Sequence, residues 1–358
     1  MARDPTSNSY RPGATIEGVT AIWDRMRRVR AGLAAAASTA SGRHEFSALR
    51  TELDHLVALT RANHERVLQA IGGSGDHHLA TAWNVTAAVH RDDMIFQFLE
   101  ERSNNQDPLE RYLRTGRSSA ELLRALVLAI LPLGDPGSSF DLLEFASGYG
   151  CVSRHLKNVL PGARVTASDI HPQAMEFIGA ELGLDVALSC PDPAAFELGR
   201  RFDVVFALSF FSHMPEHSWG QWLAALFRHV GPNGCLIFTT NGRITRDAFW
   251  SEVEIPLNGI WFAASSEQRD LDQNEYGSTI TSVDYVRRQI DSHLAVPVTF
   301  CMEGLWSGHQ DTYVVRKAEP TRHMADLGST SWKSSVPGGR TGRTSSGEEP
   351  WSRARTSW

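Results

Sequence analysis

The sequence predicts an α/β fold: a seven-stranded, mostly parallel sheet with helices on both faces and an antiparallel last strand, preceded by a helical N-terminal segment. Three observations carry this. From residue 140 onward, short apolar runs alternate strictly with amphipathic stretches, the pattern of a sheet covered by helices on both faces. The first run, Leu142-Leu143-Glu144-Phe145, passes into the small-residue turn Ala146-Ser147-Gly148-Tyr149-Gly150, and an acid, Asp169, closes the second run. The last two runs are joined by a short Gly-containing loop, which makes them a hairpin and reverses the final strand.

Strands are expected at 140–145, 164–168, 185–189, 203–208, 234–240, 295–302 and 311–316. Ser118-Ser119-Ala120-Glu121, ahead of Leu122-Leu123, reads as a capping box opening a helix that leads into the first strand. A helix over 216–229 is closed by the turn Gly231-Pro232-Asn233-Gly234, which starts the fifth strand. The chain divides into a disordered N-terminus (1–16), a helical segment (17–89), a sheet domain (90–317) carrying a lid (90–131) and an insertion (244–280), and a disordered tail (318–358). In the helical segment Phe46, Leu49, Leu53 and Leu56 step by three and four before Thr60 and Asn63 break the seam. A helical hairpin fits that short seam better than a coiled coil, and a homodimer through these helices stays open. The tail is rich in Ser, Gly, Arg and Thr and has too few aliphatics to offset ordering entropy, so truncation at Ala318 is expected to leave activity intact.

A chain of 358 residues with 42% hydrophobic content supports a sizeable core, and its net charge of −6 with no basic stripe interleaved with aromatics argues against a nucleic-acid partner. No window is apolar enough to span a membrane. Arg25 to Arg30 followed by the Ala-rich stretch 31–40 mimics a secretion signal, but its apolar core is too weak and it starts well inside the chain. The four cysteines, Cys151, Cys190, Cys235 and Cys301, lack Cys-x-x-Cys spacing and read as reduced thiols, consistent with a cytoplasmic enzyme. His77-His78 and His90 lack the spacing of metal ligands, so no metal is expected.

A parallel strand that ends on a carboxylate and turns sharply leaves backbone N–H groups and that carboxylate facing one crevice, and Gly148 and Gly150 allow a ligand close to the backbone. Asp169, about 20 residues on, sits where a ribose diol can donate to it. The pair points to a nucleotide-bearing cofactor. A dinucleotide site calls for a third glycine where this chain has Ser153, which, with the terminal hairpin, disfavours a nicotinamide oxidoreductase.

Glu144-Phe145-Ala146-Ser147-Gly148-Tyr149-Gly150 resembles motif I of class I S-adenosylmethionine-dependent methyltransferases, with Ala146 at the first glycine. The resemblance implies that Glu144 lies near the amino group of the cofactor's methionine part, that residues Phe145 to Gly150 line its site, and that Asp169, followed by Ile170, holds the ribose hydroxyls. It also implies that Asp192 accepts from the adenine amino group, although Pro191 and Pro193 make an ordinary turn an equal alternative. Phe202 to Pro215 resembles motif IV, whose trailing residues, Ser209 among them, wall the cofactor and face the acceptor. The same family resemblance implies a seventh strand inserted between the fifth and sixth.

His213 is the first candidate general base, since an imidazole can take the proton from an acceptor as the methyl moves. A histidine near a helix start also serves structure alone. His309 competes for the role from Trp306-Ser307-Gly308-His309-Gln310-Asp311, the loop between the last two strands, where Trp306 and Gln310 are candidate acceptor contacts. The plainer alternative has Trp306 closing the sheet edge and His309 as a hairpin residue. Asn241 and Arg243, just past the fifth strand, add a possible clamp on the acceptor, and a solvated loop arginine is the alternative for Arg243. These phrases together resemble a bacterial branch of the family with mostly unassigned acceptors, over roughly residues 90–317. Cys151 and Asn241 stand where that branch commonly has arginine and histidine, so those two roles are not carried over. By the same resemblance residues 90–131 form a lid, with Arg114 or Arg117 available to the cofactor's carboxylate, an ordinary helix-end arginine being the favoured alternative. The position of the insertion 244–280, with Trp250, Trp261, Phe262 and Tyr276, suggests an acceptor-facing cover with aromatic walls.

Two functions follow. One is S-adenosylmethionine-dependent methyl transfer to a small-molecule or sugar-containing acceptor, at oxygen rather than nitrogen, by in-line displacement with a histidine base and no metal. The other is a non-catalytic protein of the same fold, acting as a binding or assembly module. Cofactor affinity separates them.

Overall fold

The computed structural model describes residues 78–102, 107–131 and 139–318. The expected N-terminal disorder, the helical seam up to residue 77, the homodimer it would support and the tail lie outside the described residues. Nine strands form two sheets among them. The large sheet has the order β3-β2-β1-β4-β5-β9-β8, with β1 Phe140–Phe145, β2 Ala163–Asp169, β3 Asp185–Leu188, β4 Phe202–Ala207, β5 Val230–Asn241, β8 Val298–Trp306 and β9 Gln310–Arg316. β1 to β5 run parallel, while β9 is antiparallel to both β5 and β8. The last strand is thus inserted between the fifth and sixth of the sheet, as the family resemblance implied.

Two-residue periodicity explains why β1 anchors the molecule. Leu142 and Leu143 are both fully buried but fall in different cores, one on each face of the sheet. On the Leu142 face pack α3 (Pro108–Ile130), α4 (Ser153–Val159) and α5 (Pro172–Phe177); on the Leu143 face pack α6 (Glu216–Arg228) and α8 (Val283–Leu294). Each such buried aliphatic contributes about 1.5–3 kcal/mol, and a strand buried on both sides reads as a continuous apolar run.

Two expectations need correction, and one small sheet was not foreseen. α3 begins at Pro108, with Asp107 as N-cap accepting from the Leu109 amide over 2.9 Å, so Ser118 to Glu121 lie mid-helix. An Asp-Pro pair both caps a helix and presets its first turn, which moved the start ten residues upstream of the expected box. Residues 231–234 do not precede β5; they form a bulge within it, where the pairing jumps from Phe202–Val230 to Val204–Cys235. Finally, the insertion carries its own two-stranded antiparallel sheet, β6 (Ile260–Ala263) with β7 (Ser278–Thr281), following α7 (Arg243–Phe249).

Ahead of α3, α1 (His78–Trp83) and α2 (Met94–Glu101) flank an extended segment held down by Arg154 of α4. Its guanidinium donates to the carbonyls of Gly150, Thr86 and Ala88 and to the Tyr112 hydroxyl, which in turn donates to Asp93. Asp93 also caps α2. Among the described residues no helix is long and apolar enough to cross a membrane.

Candidate cofactor and acceptor site

The chain crosses from one face of the sheet to the other between β1 and β4, and in open α/β sheets ligands bind at the carboxyl edge of such a switch point. Just past each of these strands there stands a non-glycine residue in the left-handed region, Ala146 at φ 56° and Ser209 at φ 58°. Strain of this kind persists where the surrounding structure imposes it.

After β1 the turn alternates Ala146, Gly148 (φ 54°) and Gly150 (φ 83°) in that region. Its amides are fixed by Ser147 donating to Ser168 O, Gly150 to Ser147 O and Gly148 to Asp169 Oδ2. The two glycines serve different ends. A Cβ on Gly150 would fall 2.6 Å from Leu182, whereas one on Gly148 meets nothing within 4 Å. Gly150 is there for packing, and Gly148 presents bare backbone to open space. That opening, flanked by two buried carboxylates, fits a nucleoside-bearing ligand.

Glu144 is 3% exposed and accepts from the Ser153 hydroxyl over 2.6 Å, the serine standing where a dinucleotide site has its third glycine. Burial, with the Asp169 charge adding to it, pushes the Glu144 carboxyl up to about 7 despite that hydrogen bond. Asp169 Oδ1 accepts from both the backbone N–H and Nδ1 of His171, at 3.1 and 2.7 Å. Ile170 is half-buried between them. Tyr149 stacks on His90, ring centroids 4.6 Å apart.

Past β4 and β5 the structure brings four polar side chains into one network. Gln310 donates to Ser209 Oγ and Asn241 Oδ1, while its Oε1 accepts from Thr239 Oγ1 at 2.9 Å. The Ser209 amide donates to Thr239 Oγ1. Asn241 opposes Gln310 across the β5–β9 pair, which is what places the hairpin loop at the same edge as the cofactor turn. His213 is 9% exposed, with Nδ1 donating to Gly277 O at 2.7 Å, its ring stacked on Tyr276 and Nε2 3.6 Å from Glu267 Oε1. Gly277, Tyr276 and Glu267 all belong to the insertion.

Several sequence candidates lie apart from this group. Phe145 sits in an aromatic core with Phe196, Phe210 and Trp222. Trp306 is 2% exposed, packs on Phe206 and donates to Ser119 Oγ, so it serves the core, as its plainer reading has it. Arg243 is paired with Asp247 and Glu303 on the surface. His309 lies with Nδ1 3.1 Å from Ser307 O and its ring edge-on to Phe249. Asp192 is exposed and accepts from the Ala194 amide, the geometry of a turn. Arg114 and Arg117 are paired with Glu110 and Glu121 one helical turn away. Sequence reasoning named Tyr276 only as an aromatic of the 244–280 cover and missed His171, Glu267 and Asp270; of these only His171, two residues past Asp169, had a positional signal. Among the described residues no cluster of His, Cys, Asp and Glu could hold a metal ion, and all four cysteines are free.

A doubly wound seven-stranded sheet with this strand order and a glycine turn and acid at its switch point defines the class I methyltransferase fold. Residues 143–236 match a family model described as a methyltransferase domain. A malonyl-[acyl-carrier protein] O-methyltransferase of Acetivibrio thermocellus is 28% identical over 144 residues, 40% of this chain and 48% of the relative. That of Bacillus anthracis is 28% identical over 109 residues, 30% of this chain and 40% of the relative. The chain thus spans less than half the length of these curated relatives. Among solved structures, a Burkholderia thailandensis 1,6-didemethyltoxoflavin-N1-methyltransferase with S-adenosylhomocysteine bound is 15% identical, covers 66% of this chain and 94% of that one, and has a TM-score of 0.41. Residues 143–236 thus carry a methyltransferase domain on the class I fold, and S-adenosylmethionine is the cofactor of class I methyltransferases.

Proposed function

We propose that this protein is a cytoplasmic enzyme that binds S-adenosylmethionine at the Glu144–Gly150 turn and Asp169 and methylates a small-molecule or sugar-containing acceptor at oxygen. The observation that carries the reading is the open backbone at Gly148, set between the buried acids Glu144 and Asp169 at the switch point. Bound there, S-adenosylmethionine supplies an electrophilic methyl carbon on a sulfonium. The protein's work is then to position the acceptor and to exclude water. Asp169 offers remaining carboxylate lone pairs to ribose hydroxyls, and Glu144 offers a carboxylate to an ammonium group, whose charge favours its ionised form.

His213 is the proposed base. With Nδ1 donating to Gly277 O, its other nitrogen is the basic one in the neutral ring, and a hydroxyl acceptor needs a proton removed as it is methylated. The Ser209, Asn241 and Gln310 network is the proposed acceptor platform. Oxygen as the methylated atom is also what the names of the two malonyl-carrier relatives state for those proteins.

Calorimetric titration with S-adenosylmethionine and S-adenosylhomocysteine tests the site. Micromolar binding by the wild type, lost in Asp169→Ala and Glu144→Ala, is expected. No binding by the wild type would turn the reading to a non-catalytic protein of the same fold.

A further inference from the structure

Three histidines of the main domain face carboxylates on one loop of the insertion. Residues 264–277 join β6 to β7. His171 Nε2 lies 2.9 Å from Asp270 Oδ2, His213 Nε2 3.6 Å from Glu267 Oε1, and His217 Nε2 3.0 Å from Glu275 Oε2. The His217 pair is exposed on both sides, so solvent screens it. His171 differs in what its other nitrogen does. Nδ1 lies 2.7 Å from Asp169 Oδ1, and Asp169 Oδ2 accepts from the Gly148 amide. One hydrogen-bonded chain therefore runs from the cofactor turn through Asp169 and His171 to the loop.

We propose that His171 is a positioning residue that couples loop 264–277 to the cofactor acid Asp169, latching the loop when the imidazole is cationic and releasing it when neutral. The cofactor half of this statement rests on the reading of Asp169 given above.

Both ring nitrogens face carboxylates, and only the cation can donate at both. The groups around the latch are Asp169 from β2, Asp270 beside Arg269 in the loop, and Tyr149 from the glycine turn, which feels Asp92, Asp169, Asp270 and Asp93. His90 stacks on Tyr149, and Arg91 pairs with Asp92. The hydrogen bond to Asp169 raises the His171 pKa above its ordinary value, against the opposing effect of burial and with help from the Asp169 and Asp270 charges. A raised value means the latch is complete at low pH and is lost as pH rises through it. The proton lost is the one on Nε2. The Asp169 side chain is 9% exposed and that of Asp270 58%, so the drier carboxylate keeps its donor. The bare Nε2 lone pair then faces Asp270 and repels it. Deprotonation thus frees the loop and leaves Asp169 with a neutral donor, a weaker partner than the cation.

The test is hydrogen exchange of residues 264–277 across pH, corrected for intrinsic rate, together with calorimetry of S-adenosylhomocysteine at the same pH values. In the wild type, loop protection is expected to fall and the dissociation constant to rise by roughly twofold to fivefold as His171 titrates, the range of a partly exposed ion pair. In His171→Gln and Asp270→Asn both quantities should lose that pH dependence. Asp270→Asn changes an exposed side chain and so keeps the test alive if His171→Gln fails to fold. Loop protection that is flat in the wild type, or a pH dependence at Asp270 and its neighbours that survives in the variants, would overturn the latch. A titrating loop with pH-independent affinity would overturn the coupling. A titrating loop with no ligand binding at any pH would remove the cofactor reading and leave the latch standing.

Discussion

The Gly148 amide donates to Asp169 Oδ2 across 2.8 Å, so the turn after β1 and the acid after β2 are one hydrogen-bonded unit. Asp169→Ala should therefore do more than remove a ligand contact. It removes the partner of the half-buried Gly148 amide and one of the two carboxylates facing the His171 imidazole, at about 0.5–1.5 kcal/mol for each hydrogen bond lost. Lost cofactor binding with a lowered melting temperature is expected from Asp169→Ala, and a smaller thermal loss from Asp169→Asn, which keeps one acceptor oxygen. Equal melting temperatures for Asp169→Ala and wild type would show that the contact has no structural weight.

Stability should fall as pH rises toward neutrality. Burial holds the carboxyls of Glu144 and Asp311 up at about 7, against ordinary values of 4.5 and 3.8. The folded chain therefore keeps protons that the unfolded chain releases. This contribution is full below those ordinary values and is lost through about pH 7. Its size is at most about 3 kcal/mol for Glu144 and about 4 kcal/mol for Asp311. Urea melts of Glu144→Gln and Asp311→Asn between pH 4 and 8 should each be flatter in pH than the wild type.

His213→Ala should lower turnover by about a hundredfold to ten thousandfold, the usual weight of a general base, with cofactor affinity nearly unchanged. His309→Ala should cost far less, since its imidazole lies against Ser307 O and Phe249. Comparable losses from the two variants would refute the assignment of the base to His213.

Gly116 lies where α3 crosses the glycine turn. A Cβ there would stand 1.9 Å from the Cys151 carbonyl oxygen, a backbone atom with little room to retreat. Gly116→Ala should destabilise by about 1–3 kcal/mol, despite alanine's better helix propensity, whereas Gly179→Ala, whose Cβ meets only Val186 at 3.9 Å, should not. Paired thermal melts separate the two.

The sheet was legible because strands buried on both faces, such as the one carrying Leu142 and Leu143, can only be written as apolar runs. Glu144 and Asp169 were legible because each is tied to a strand end. β6 and β7 were not, being four-residue strands in a stretch of mixed polarity where no alternation develops. Trp306 and Gln310 sit in one loop phrase and were expected to share a role. The register shift between Met302 and Trp306 sends the indole into the core while the amide joins Asn241. His213 and Gly277 are 64 residues apart, and no local pattern announces their contact.

Arg154 decides where a shortened version of this protein can begin. Its guanidinium binds the carbonyls of Thr86 and Ala88, and Asn158 donates to those of Trp83 and Asn84. A fragment cut at residue 90, where the sheet domain begins on sequence grounds, would lose all four acceptors and leave Arg154 only Gly150 O and the Tyr112 hydroxyl. Expression trials should therefore start upstream of His78, and insolubility of a fragment starting at 90 would report a severed anchor, with the sheet itself sound.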